Sequence, residues 1–171
     1  MKEKMKLPLI LQNEIAECGH ACVAMISKYW GHNLDLYAIK NINTPSANGI
    51  TLLELNKLIG NLGFNTRALK VPIDGLKWIK LPAILHWNMN HFVVLKAVKK
   101  NIMIIHDPAI GIRHCKFDEV SESFTGIAVE VVKSNDFEVL TNAKKLKLYD
   151  LVKNAIPKLI EKAMPFSVNL L

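Results

Sequence analysis

The chain has 171 residues, half of them hydrophobic, so it holds enough apolar material for one domain with a real core and is not a disordered chain. Its net charge is +7, from 22 basic and 15 acidic residues, with no block of five like charges. That dispersed excess gives little support to nucleic-acid binding and suits a surface near anionic lipid or an acidic peptide about as well. Three cysteines, at 18, 22 and 115, with no secretory signal peptide argue against a disulfide framework and for a reducing compartment. No run of 18 apolar residues offers a membrane span.

Met1 to Lys6 reads as a charged lead-in, and Leu7–Leu11 as an apolar extended stretch ending at Gln12. A helix is predicted from about Ala16 to Trp30, with Gly31 as its stop. Its apolar length makes it central and buried. A second short helix is predicted over 34–42. A third opens at the capping box Thr51-Leu52-Leu53-Glu54 and ends before Gly63. From Phe64 the texture changes. Phe64–Val71 reads as a strand and Asp74–Ile79 as one helical turn. Ala83–Trp87, Phe92–Val98, Ile102–His106 and Ile112–Phe117 read as four strands in close succession, with turns at Lys99-Lys100-Asn101 and between Pro108 and Gly111. A short capped helix over 118–124 and a last apolar strand over 127–132 follow. Helices first and an antiparallel sheet afterwards define an α+β fold.

The pattern changes again after about Asp136. Residues 149–164 form an apolar stripe beside Lys153, Lys158 and Lys162, kinked by Pro157. This basic amphipathic helix suits either docking on the domain or lying along a membrane surface. The expected organisation is a domain over 1–135 and a linker with an amphipathic helix over 136–171.

The chemistry concentrates where the polar loop meets the first helix. A cysteine is more often a small buried hydrophobe than a nucleophile. Cys18, however, stands at a helix start, where unpaired N–H groups and the positive end of the helix dipole stabilise a thiolate. Gln12 lies in the loop leading there, and its amide could donate to a developing oxyanion together with the Cys18 N–H. Cys22 shares the helix face at i, i+4, but no second close Cys/His pair completes a zinc site.

A thiol nucleophile needs a histidine, and six are present. His20 points elsewhere on the helix, His32 lies beyond its far end, His106 faces away from its neighbour Asp107, and His114 has no acidic partner. Between His86 and His91 the hairpin decides. If 91–98 folds back on 102–107 about Lys99–Lys100, His91 falls within a residue or two of the position opposite Asp107, close enough for the carboxylate to orient the ring.

Three stretches, Gln12-Asn13-Glu14-Ile15-Ala16-Glu17-Cys18-Gly19-His20-Ala21-Cys22, Asn90-His91-Phe92-Val93-Val94-Leu95 and Asp107-Pro108-Ala109-Ile110-Gly111, resemble the N-terminal peptidase domain of bacteriocin-exporting ABC transporters of the colicin V secretion type. The likeness covers roughly residues 7–135. It implies a papain-like fold and removal of a double-glycine leader from a precursor peptide before export, at the cytoplasmic face of the bacterial inner membrane. It makes Cys18 the nucleophile, His91 the base, Asp107 the orienting carboxylate and Gln12 the oxyanion-hole residue, with no metal or organic cofactor. In that family the domain leads to transmembrane and ATP-binding domains, so the chain is expected to be an excised domain, with 149–164 as the start of the connection. A non-catalytic cargo-docking domain is the alternative, because some relatives in toxin secretion have lost the nucleophile.

Overall fold

A computed structural model describes residues 6–141. Residues 1–5 of the charged lead-in and the amphipathic segment 149–164 lie outside the described residues.

Helix α1 spans Cys18–Trp30, preceded by a 3-10 turn at Ile15–Glu17. It stops where expected: Gly31 takes φ 112, a left-handed conformation that favours glycine, and returns its N–H to Lys28 O and Ser27 O. Helix α2, Leu36–Ile42, is capped by the Asp35 carboxylate, which accepts from Ala38 N–H. Helix α3, Leu52–Asn61, opens on the Thr51/Glu54 capping box.

Six strands follow, interrupted by two short helical segments: β1 Phe64–Lys70, β2 Ala83–Trp87, β3 His91–Lys99, β4 Ile102–Asp107, β5 Gly111–Lys116 and β6 Phe124–Lys133. The first interruption, at Ile73–Lys77, is a 3-10 turn; the second is α4, Phe117–Ser123. Helix α4 corrects the expectation of a side-chain cap. It starts one residue early, behind Lys116, which makes no capping hydrogen bond. A lysine side chain has no acceptor for an N-terminal N–H.

The sheet is antiparallel throughout, in the order β1-β6-β2-β3-β4-β5. β2 to β5 are consecutive hairpins, while the last strand inserts between β1 and β2. Helices α1 to α3 cover one face, where Met25, Ile26, Leu55 and Ile59 meet Ile84, Val94 and Val129. The 3-10 turn and α4 cover the other, over Leu85, Trp87, Val93, Leu95 and Ile105. Cover on both faces explains why β2 and β3 are nearly continuous apolar runs rather than alternating ones. α1 lies against β3, which brings the start of the helix to the strand that carries His91.

Candidate active site

Cys18 is the first residue of α1 and is almost fully buried. Its place depends on Gly19. A Cβ there would run into the Ile50 side chain and come within 3.2 Å of Leu55 Cδ1 and 3.4 Å of Phe92 Cδ2. Glycine thus lets the helix start press against the body of the domain.

The loop before Cys18 is held from below. The buried Glu17 carboxylate accepts from Asn13 N–H at 2.8 Å, from Glu14 N–H at 3.2 Å and from the Lys40 ammonium of α2. Burial pushes its pKa up, but Lys40 and the two amides outweigh that and hold it below the usual carboxylate range. One turn of chain earlier, Gln12 donates its backbone N–H to Pro108 O at 2.9 Å, which ties it to the residue after Asp107. The Gln12 side-chain oxygen is buried without a partner among the described residues.

The β3–β4 hairpin brings the remaining two residues together. Val94 pairs with His106, so the register carries Asp107 to the position opposite Val93, two residues from His91 on the same face. His91 Nε2 lies 2.9 Å from Asp107 Oδ1. Cys18 lies close enough to the imidazole to act on its charge. With Nε2 engaged by Asp107, Nδ1 is the ring nitrogen left for the thiol. Burial disfavours the charged ring, but Asp107 and Cys18 outweigh it and the His91 pKa is pushed up to about 9. Asp107 Oδ1 also accepts from Ala109 N–H at 2.9 Å, and Arg113 Nη1 stands 3.8 Å from Oδ2. Burial raises the Asp107 pKa, yet His91, Ala109 and Arg113 together keep it below the usual carboxylate value.

All four expected residues therefore sit at one edge of the sheet: Cys18 near His91, His91 hydrogen-bonded to Asp107, and Gln12 tied to the residue after Asp107 through Pro108 O. Four of the five excluded histidines have other work. His20 pairs with Asn43 Oδ1 at 3.0 Å, His32 with Leu62 O at 2.9 Å, His86 with Thr125 Oγ1 at 2.8 Å and His106 with Pro8 O at 2.9 Å. Sequence reasoning missed Glu17, Lys40 and Arg113. The Pro108–Gly111 turn contained the signal for Arg113. Once Asp107 pairs with Gly111, Arg113 is its diagonal neighbour on the same face.

A buried thiol at a helix start, an imidazole beside it and a carboxylate behind the imidazole define a papain-like cysteine peptidase site on an α+β scaffold. The chain belongs to the peptidase C39 family, whose model matches residues 6–136. It is 42% identical over 152 residues to the colicin V secretion/processing ATP-binding protein CvaB of Escherichia coli, covering 89% of this chain and 22% of that one. It is 30% identical over 125 residues to the lactococcin-G-processing and transport ATP-binding protein LagD of Lactococcus lactis subsp. lactis, over 70% of this chain and 18% of that one. The chain thus spans about a fifth of the length of these relatives. Among solved structures, a double glycine motif protease from an AMS/PCAT transporter, in complex with its leader peptide, superposes with a TM-score of 0.72 at 34% identity, over 78% of this chain and 96% of that one. The peptidase domain of the Streptococcus ABC transporter ComA superposes with a TM-score of 0.70 at 23% identity, over 75% of this chain and 100% of that one, a likeness of fold.

Proposed function

We propose that this chain is the peptidase domain of a peptide-exporting ABC transporter, and that it cuts a double-glycine leader from the precursor at the cytoplasmic face of the inner membrane. The observation that carries this reading is the grouping of Cys18, His91 and Asp107, with the thiol near enough to act on the imidazole and a carboxylate 2.9 Å from its Nε2. His91 takes the Cys18 proton, and the thiolate attacks the carbonyl carbon of the second leader glycine. Gln12 and the Cys18 N–H donate to the oxyanion that forms. As the tetrahedral species collapses, the C–N bond breaks and His91 returns the proton to the leaving amine. Water, deprotonated by His91, then attacks the thioester and frees Cys18.

The surface around the site suits an amphipathic leader. Leu11, Ile15, Met89 and Ile110 are exposed by 53%, 91%, 77% and 70%, and each lies within three positions of one of the four site residues. An open groove of about 490 Å3, lined by residues 13–16 and Pro45–Ala47, runs beside the loop before Cys18. Apolar side chains around a narrow cut site are what a leader helix needs when Gly-Gly itself offers almost no surface. The structure with a bound leader, 34% identical, adds weight to a peptide partner of this kind.

The test is to incubate the chain with a precursor peptide bearing a Gly-Gly leader and weigh the products. Cleavage after the second glycine by wild type and none by Cys18→Ala is the expected result. An intact precursor, or equal cleavage by the variant, overturns the reading.

A further inference from the structure

The sheet end opposite the candidate active site carries a feature that proteolysis does not use. The β3–β4 turn at Lys100 and Asn101 meets Lys116, at the end of β5, and Lys77, from the 3-10 turn under the sheet. Together they line an open depression of about 580 Å3, with Asp118 as its one acidic group. Strand pairing explains the meeting, since Lys99 pairs with Ile102 and Ile102 with Lys116. Beside it Trp78 is 81% exposed, and the Lys77 ammonium lies 5.4 Å from the centre of its ring. An indole this exposed contributes little to the core, so its place in the fold is at the surface.

Two arguments say what covers this patch. The first is position. β3 runs nine residues from His91 to Lys99, about 26 Å at roughly 3.3 Å per residue, so the lysines stand well beyond a Debye length of about 8 Å from the thiol and do not steer its substrate. β6 runs in the same direction as β3, since both are antiparallel to β2, and so it reaches its last residue, Lys133, at this same end. The second argument is chemistry. The depression is lined by lysine and by no arginine. Ammonium groups are point charges suited to a diffuse anionic surface, whereas guanidinium would favour a bidentate carboxylate or phosphate. An exposed indole beside such lysines matches the headgroup level of a bilayer.

We propose that this end of the sheet docks on a bilayer of anionic lipid, with Trp78 at the headgroup level and Lys77, Lys100 and Lys116 over the lipid phosphates. The choice of a membrane rests on the exporter reading above; the patch itself does not. Docked so, the domain holds the Cys18 edge away from the lipid and open to soluble precursor.

The experiment uses the full chain with vesicles of phosphatidylcholine alone or mixed with phosphatidylglycerol, part of it brominated. Wild type should bind only the anionic vesicles, less in high salt, and bromolipid should quench its emission. The other two tryptophans are buried or half-buried, so Trp78→Ala should remove that quenching. The triple variant Lys77→Glu/Lys100→Glu/Lys116→Glu should bind about 100-fold more weakly and still cleave precursor in solution at the wild-type rate. Binding that survives the triple variant, or that leaves Trp78 unquenched, comes from elsewhere in the chain and overturns the proposal. Competition by millimolar glycerol phosphate would mean a site for free phosphate and would also overturn it. A chain that docks but never cleaves refutes the peptidase reading and leaves the docking intact.

Discussion

Cys18 and Cys22 stand four residues apart on one helix face, yet only the first meets the imidazole. Cys22 is fully buried, and burial, with Cys18 and Asp107 nearby, pushes its thiol well above the ordinary value. Cys22→Ala should therefore keep full cleavage and lose some stability, whereas Cys18→Ala should lose cleavage while still folding and binding leader; a precursor assay beside a melting curve separates the two. His91 sets the upper pH limit. An imidazolium is needed to balance the thiolate and protonate the leaving amine, so kcat/KM should fall as pH rises through about 9. Asp107 contributes much of that elevation, and Asp107→Asn should move the alkaline limb to lower pH as well as slow the reaction. An unmoved limb would mean that the carboxylate does not hold the charge on His91.

At the scale of elements, the site is a meeting of a loop, a helix start and a hairpin, and each is held by contacts outside the reacting atoms. The loop depends on Gln12 N–H to Pro108 O and on Glu17, with Lys40 beneath it. Gln12→Ala should lower turnover by roughly 10²–10³, the usual cost of one oxyanion donor. Wild-type turnover in that variant would show that the side chain does not reach the oxyanion. The helix start depends on Gly19, and Gly19→Ala should cost about 1–3 kcal/mol through overpacking against Ile50, measurable by urea denaturation. Met89 and Ile110 sit on turns next to His91 and Asp107. Changing both to Ser should raise KM for the precursor and leave kcat nearly untouched, since they offer affinity and no chemistry.

Across the whole molecule, pH acts on stability from both sides. His32 and His106 are buried, and burial holds both below the ordinary histidine value of 6.5. His32 donates from Nε2 to Leu62 O and accepts Leu140 N–H at Nδ1, an arrangement only the neutral ring can make. The unfolded chain therefore binds more protons than the fold below pH 6.5, and stability drops as the solution is acidified. His91 has the opposite sign. Its contribution is complete below 6.5 and is lost as pH rises through about 9. A series of melting temperatures should peak where these two windows meet, and His91→Gln should flatten the alkaline side while leaving the acid side in place.

Local signals were enough for the elements and for most of the site. Gly31, the Thr51/Glu54 capping box and the turn signal Lys99-Lys100-Asn101 act within a few residues of chain, so the sequence alone located α1, α3 and the β3–β4 hairpin to within a residue or two. The hairpin register then selected His91 over His86, because register converts sequence spacing into distance. What covers the two faces of the sheet was not legible: the apolar runs of β2 and β3 fit burial on both faces, but nothing in a short run says which segments supply the cover. Nor was the strand order: β6 lies between β1 and β2 through pairings such as Phe64 with Lys133 and Ala83 with Glu130, and no local rule ranks pairings some 50 to 70 residues apart. The supports of the site were hidden for the same reason. Glu17 is an ordinary acidic residue at a helix start until α2 packs Lys40 against it, and Gly19 is an ordinary glycine until α1 meets Ile50. The sequence by itself determined which residues are the candidates for the chemistry, because a thiol at a helix start, an imidazole and a carboxylate are recognisable by type and local register; only the tertiary structure decided what holds them in place, because those contacts come from segments that the chain brings together on folding.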